Sequence, residues 1–251
     1  MNSLDNTLFI GKVSIKLDET DSTNAHAKRL LAKNKPSEGT VIFTHYQTNG
    51  RGQFGKRWES ERGENLTVSI ILYPNFIEPR KVFLLNYVVS LGLKDYLGSL
   101  GINVQIKWPN DIYYHDKKLG GLLIENGLTG EKLNYSIVGI GLNVNQTTFN
   151  PEIRNPTSMK LIKGKEFELE LLNDLFSFIE QRYLQLRSGR WDSIIGEYTK
   201  DLYGLNEKRF YQTSRETFEG TICGVNDEGQ LKMKVNRSFR YFSYNDLVYC
   251  K

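Results

Sequence analysis

Apolar positions along this chain change their period several times, and each change predicts an element. From Phe9 to Leu17 they alternate loosely, as in a strand. Asp21-Ser22-Thr23-Asn24 then offers several helix N-caps, and Ala25, Ala27, Leu30 and Leu31 predict a short helix that stops before Pro36. Thr40–Tyr46 and Leu66–Tyr73 are β-rich runs flanking a glycine-rich segment. Val82, Leu85, Val89, Leu93, Tyr96, Leu97 and Leu100 recur at helical spacing, so Pro79–Leu100 is expected to be a long buried helix. Four strands follow, at Asn103–Trp108, Asp111–His115, Leu119–Glu125 and Leu133–Val144, separated by turn signals such as Pro109-Asn110 and Asp116-Lys117. Phe167–Leu186 places Leu172, Leu175, Phe176, Ile179, Tyr183 and Leu186 on one helical face, and Arg190–Tyr198 extends the helical region.

From about Gly204 the texture changes to short strands: Lys208–Thr213, Glu216–Val225, Gln230–Val235 and Arg240–Tyr244, with a turn at Asn226-Asp227-Glu228-Gly229. The expected fold class is therefore α+β. A mixed, mostly antiparallel sheet packed with helices should occupy residues 1–203, and a small all-β domain residues 204–251. A chain of 251 residues with 39% hydrophobic and 12% aromatic content has enough material for such a core.

Charge and cysteine usage narrow the function classes. A net charge of +4 suits an anionic ligand and is too weak to argue for a nucleic-acid binder. Cys223 and Cys250 show no metal-ligand spacing, and His26, His45 and His115 are scattered, so neither a zinc site nor a Ser-His-Asp triad is supported. The N-terminus has no signal-peptide pattern, and the longest apolar segment, Val82–Ile102, is broken by Asn86, Lys94 and Asp95. The expectation is a cytoplasmic protein with no membrane span.

Most of the chemical information sits in Gln47-Thr48-Asn49-Gly50-Arg51-Gly52-Gln53-Phe54-Gly55-Lys56-Arg57-Trp58. Glycines permit close approach to a ligand, cations suit an anion, and tryptophan offers a ring face. Gly50, Gly52 and Gly55 spell the dinucleotide fingerprint, yet no amphipathic helix follows them. Gly50 to Lys56 also resembles a P-loop, but Arg57 stands where Ser or Thr should hold magnesium. Three further segments carry polar groups at strand ends. Lys107-Trp108-Pro109-Asn110-Asp111 breaks one strand and starts the next, which can aim an amide and a carboxylate at one spot. Lys117-Lys118-Leu119-Gly120-Gly121 sets a lysine beside paired glycines, and Gly139-Ile140-Gly141-Leu142-Asn143-Val144-Asn145 ends an apolar strand. Each segment, taken alone, is also an ordinary turn or strand end.

Taken together and in this order, Asp21–Asn24, Gln47–Trp58, Lys107–Asp111, Lys118–Leu123 and Gly139–Val144 resemble the motifs of biotin protein ligases (biotin–[acetyl-CoA carboxylase] ligases). Phe218-Glu219-Gly220 and Asn226–Leu231 resemble that family's C-terminal SH3-like domain. The resemblance implies a class II synthetase-like catalytic domain followed by an SH3-like β-barrel. It implies that biotin is activated by ATP, with Mg²⁺, to biotinyl-5′-AMP and then passed to a lysine of a biotin carboxyl carrier protein. Larger members carry an N-terminal winged helix; with D-S-T-N at residue 21, this chain is expected to be the short form, without repressor activity or sequence-specific DNA binding. A homodimer is left open. The rival within the same fold is a lipoate–protein ligase, against which the Gly50–Trp58 loop and Lys107–Asp111 speak.

The resemblance also distributes roles among residues. Ser22, Thr23, Asn24, Gln47, Arg51, Gly52, Gln53, Lys118 and Gly120 would contact biotin. Arg51, Gln53, Lys56, Trp58, Lys107, Asn110, Lys118 and Asn143 would contact ATP or the adenylate, with Trp58 packing on adenine. Lys118, Arg51 and Asp111 would be catalytic, Asp111 serving as proton acceptor, positioning group or metal ligand. No metal ligand set is assigned. Gln53 and Lys56 depart from the family loop, which usually has arginine at the first position and often at the second.

Overall fold

The computed structural model describes residues 6–169 and 174–250. Seven strands form the larger sheet: β1 (Ser14–Leu17), β2 (Val41–Thr44), β3 (Asn65–Leu72), β4 (Gln105–Lys107), β5 (Asp111–Tyr114), β6 (Lys117–Thr129) and β7 (Lys132–Asn143). Their spatial order is β1-β2-β3-β7-β6-β5-β4. Among these seven strands β1 and β2 pair in parallel and the other neighbours antiparallel, so the sheet is mixed and mostly antiparallel, as the strand-and-turn pattern predicts.

Strand alternation gives this sheet two different faces. Val41, Val68, Ile70, Val138 and Ile140 point toward α2 (Phe83–Ser99), α4 (Leu175–Arg187) and α5 (Trp191–Lys200) and join the main core. Every residue from Phe83 to Leu93 is buried, because α2 lies between the sheet and two other helices. Gly92 lets α4 come close: a methyl there would sit 2.9 Å from Ile179 Cα. On the opposite face α1 (Thr23–Lys33) covers Ile42, Ile71 and Ile137 through Ala27. A short helix α3 (Met159–Lys163) follows the larger sheet.

After α5 come β8 (Lys208–Gln212), β9 (Thr217–Val225), β10 (Leu231–Val235), β11 (Ser238–Phe242) and β12 (Val248–Tyr249). They form an antiparallel sheet in the order β11-β10-β9-β8-β12. This small sheet is fastened to the large one where Trp108 Nε1 donates to Gly229 O at 3.2 Å and the Trp108 ring meets Tyr244 edge-on.

Four expected boundaries need correction. The first strand starts at Ser14, because the preceding turn is held by the buried Glu180 carboxylate, which accepts from the backbone N–H groups of Leu8, Phe9 and Ile10. The helix expected over Phe167–Leu186 is described from Leu175; Phe167 is instead tied by its backbone to the Asn145 side chain, and Leu172 lies outside the described residues. The helix expected from Pro79 begins at Phe83, after a single 3-10 turn. Strand β6 runs four residues past Glu125, and β12 carries no sequence signal of its own.

Candidate active site

Along β7, the face that carries α1 changes from Ile137 to Gly139 and Gly141, and this exchange of side chain for bare backbone makes the floor of a cavity. A methyl on Gly139 would lie 2.4 Å from Asn24 Oδ1, and one on Gly141 would lie 2.4 Å from Trp58 Cε2. The first turn of α1 and the indole of Trp58 therefore rest directly on the strand.

The α1 end of the cavity is a web of short polar side chains. Ser69 Oγ, fully buried on β3, lies 2.6 Å from Asn24 Oδ1 and 2.7 Å from Thr23 Oγ1. Gln47 Oε1 accepts from Thr23 N (2.9 Å) and Thr23 Oγ1 (3.2 Å), while Asn24 Nδ2 donates to Glu125 Oε2 (2.8 Å). Asp21 fixes the entry to the helix: Oδ1 accepts from Ser22 N at 2.8 Å. The guanidinium of Arg29, hydrogen-bonded to Asp21, holds that carboxyl well below the usual carboxylate range.

The glycine-rich segment folds as a hairpin over this floor. Gly52 N donates to Lys56 O (2.7 Å) and Trp58 N to Gly50 O (3.0 Å). Its tip, Gln53–Gly55, is a 3-10 turn with Phe54 and Gly55 at positive φ. Gly50 is required by packing: a methyl there would meet Trp58 O at 2.3 Å. Arg51, Lys56 and Arg57 stay exposed at the rim, and the buried Trp58 Nε1 has no hydrogen-bond partner among the described residues.

On the neighbouring strands, β5 and β6 bring Asp111 and Lys118 together, with Lys118 Nζ 2.6 Å from Asp111 Oδ1. Lys118 is pinned through its backbone: its N–H donates to Asn155 O (2.7 Å), and its O accepts from Thr157 N (2.9 Å). Its ammonium also lies 5.8 Å from the Trp58 ring centroid. Asn110 caps the strand break by donating from Nδ2 to Leu122 O.

One cavity of about 570 Å³ takes in Ser22, Thr23, Asn24, Gln47, Arg51, Gly52, Gln53, Lys56, Trp58, Lys107, Asn110, Asp111 and Lys118. Thirteen of the expected positions thus share one space. Gly120 and Asn143 fall outside it. Gly120 faces the other side of β6, where a methyl would strike Gly141 O at 2.8 Å, and it is Gly121 that lines the cavity. Asn143 is buried and spends its amide on Thr157 O at 2.9 Å. Sequence reasoning missed Tyr113, Arg154 and the stretch from Tyr244 to Tyr249, all of which contribute lining residues.

Lys107 is the most perturbed cation in the cavity. Burial lowers its pKa from 10.5 to about 8; Arg154, Lys118 and Arg209 add to the lowering and Asp111 opposes it. Between those two values the unfolded chain binds the proton more tightly than the folded one, so stability rises with pH across this window. Below about pH 8 both states are charged and the cost of the buried cation is fully present. Lys107→Met should therefore raise Tm at pH 7, by up to about 3 kcal/mol of stability, and raise it less at pH 10. Thermal melts of both proteins at the two pH values check this, and an equal gain at each would contradict it.

Fold and cavity are those of an enzyme that activates a small acid before passing it on. The model of the Biotin/lipoate A/B protein ligase family matches residues 17–143, and the chain belongs to that family. It is 30% identical over 241 residues to the bifunctional ligase/repressor BirA of Bacillus subtilis, covering 93% of this chain and 73% of that one. It is 27% identical over 226 residues to the biotin–[acetyl-CoA-carboxylase] ligase of Paracoccus denitrificans, covering 87% and 92% of the two chains. The biotin protein ligase of Aquifex aeolicus in complex with biotin and ATP superposes with a TM-score of 0.78 at 29% identity, over 94% of this chain and 98% of that one. Among the described residues, no helix is long and apolar enough to cross a membrane.

Proposed function

We propose that the protein joins biotin to ATP, giving biotinyl-5′-AMP and pyrophosphate, and then transfers the biotinyl group to a lysine of a biotin carboxyl carrier protein. The observation that carries this reading is the cavity itself. One end is a network of amide and hydroxyl groups (Ser22, Thr23, Asn24 and Gln47), and the other holds an indole and several cations. A ureido ring needs donors and acceptors together, which the first end supplies. A dithiolane ring needs neither, so the lipoate alternative is not favoured.

The first step brings a carboxylate to a polyanion, so cations must offset the repulsion and stabilise the charge that builds at the α-phosphate. Arg51 on the hairpin and Lys118 on β6 both line the cavity and are the cations we assign to this work. Trp58, packed on Gly141, offers its ring to adenine. Asn110 supports the β5–β6 turn from the cavity wall. In the second step Asp111 is the carboxylate nearest Lys118; one of its oxygens is taken by that ammonium, and its remaining acceptor capacity suits the carrier lysine, whose proton must leave as the amide forms.

Magnesium keeps most of its waters and needs only one or two carboxylates when it travels with phosphates. Asp111 and Glu152 line the cavity and fit that need; bound there, the ion would neutralise phosphate charge. Among the described residues no cluster of three His, Cys, Asp or Glu side chains could hold a metal by itself. We also read residues 204–251 as a separate small domain whose last strand completes the cavity wall.

Mass spectrometry of an acceptor domain incubated with enzyme, ATP and either biotin or lipoate tests this function. A mass gain with biotin alone is expected. A gain with lipoate alone, or no pyrophosphate release from ATP and biotin by folded protein, would overturn it.

A further inference from the structure

At the wall between the two sheets, Lys107 is held differently from Lys118. Lys118 is matched by a carboxylate at 2.6 Å, whereas Lys107 makes no ion pair among the described residues. It is enclosed by tyrosines instead. Its ammonium donates to Tyr113 OH at 3.0 Å and lies 4.5 Å from the Tyr113 ring centroid, 4.6 Å from that of Tyr249 and 6.0 Å from that of Tyr203. Tyr249 belongs to β12 of the small sheet, and its carbonyl accepts from Arg154 Nη1 at 3.3 Å. The box is braced from outside: Arg209 stacks on Tyr203 at 4.4 Å, and Tyr203 OH donates to Asp116. The Tyr249 hydroxyl is buried with no partner among the described residues, so Tyr249 contributes to the box through its ring.

A desolvated cation enclosed by π-electrons, with no carboxylate in ion-pair contact, keeps its charge available for an incoming anion. Lys107 and Arg154 both line the cavity, and they are the cationic lining left for the outer phosphates of ATP once biotin is assigned to the α1 end and its carboxylate to Arg51 and Lys118. We propose that Lys107 receives the leaving pyrophosphate in the adenylation step and that Tyr249 is its positioning residue. A carboxylate oxygen bonds to the α-phosphorus, and the bond from that phosphorus to the bridging oxygen breaks. The electron pair departs with the oxygen on pyrophosphate, and the Lys107 ammonium donates a hydrogen bond to that oxygen as its charge grows. The inference rests on the ligase reading but concerns only its first half-reaction.

The test separates the halves. Single-turnover adenylation and ATP–pyrophosphate exchange are measured beside transfer from supplied biotinyl-5′-AMP to an acceptor domain. Lys107→Met should slow adenylation roughly a hundredfold, the usual loss for one transition-state contact, with a loss in transfer at least about tenfold smaller. Tyr249→Leu should show the same asymmetry at smaller size, and Tyr249→Phe should restore most of it. Opening the box also lets water reach Lys107, so the alkaline fall of adenylation should move to higher pH in Tyr249→Leu. The charged and titratable groups facing Lys107 are Asp111, Arg154, Lys118, Arg209 and the three tyrosines, and Tyr249→Leu leaves the others in place. Equal losses in both half-reactions, or an unmoved alkaline limb, would overturn the role of Lys107. Failure of the unaltered protein to transfer from supplied adenylate would instead count against the ligase reading.

Discussion

Lys118→Ala will slow formation of biotinyl-AMP about a hundredfold while changing biotin affinity little, the loss of one charge-stabilising contact being worth about 3 kcal/mol. The side chain is paired with Asp111 on the β5–β6 side of the cavity, outside the hydrogen-bonded Thr23–Gln47–Ser69 network that we assign to the biotin head. Its charge matters most when the α-phosphate gathers negative charge, which happens only in the transition state. Removing it also leaves Asp111 without its 2.6 Å partner, so repulsion between that carboxylate and the phosphates adds to the loss. Quenched-flow adenylation measured beside calorimetric biotin binding decides the matter. A parallel fall in both quantities would make Lys118 a uniform binding residue.

The two floor glycines should separate the two substrates. Neither has a positive φ, so alanine is tolerated by the backbone and the whole effect is steric. In Gly139→Ala the new methyl displaces the Asn24 amide, and in Gly141→Ala it lifts the Trp58 ring. Overpacking of this kind costs about 1–3 kcal/mol, or roughly ten- to a hundredfold in affinity. The first substitution should raise KM for biotin and the second KM for ATP. Steady-state titration of each substrate against each variant reads the split, and a swap of the pattern would reverse the orientation of the ligand in the cavity.

Much of this was legible from pattern alone. Alternation and turn residues located the strands of the larger sheet, and the helical spacing of Val82 to Leu100 located α2. What failed did so for physical reasons. Adjacent glycines on a strand face opposite sides, so Gly120-Gly121 holds one floor residue, and the sequence cannot say which until register is known. Asn143 shares the glycine face of β7, but Thr157 covers it, a contact 14 residues away with no periodic signature. Arg154 and Tyr249 come from a loop and a two-residue strand, which are too short to show a period. Their place in the cavity follows from tertiary packing alone.

The strap formed by Asn155 and Thr157 has a bearing on control. Lys118 holds its place because a loop outside every recognised motif grips its backbone on both sides. Anything that lengthens, cuts or tethers that loop acts on the central lysine through its backbone. Splicing a small sensor domain in beside Glu152, on the exposed approach to the strap, would place the lysine's alignment under the command of whatever the sensor binds. The enzyme thus carries a natural handle for an engineered on–off switch.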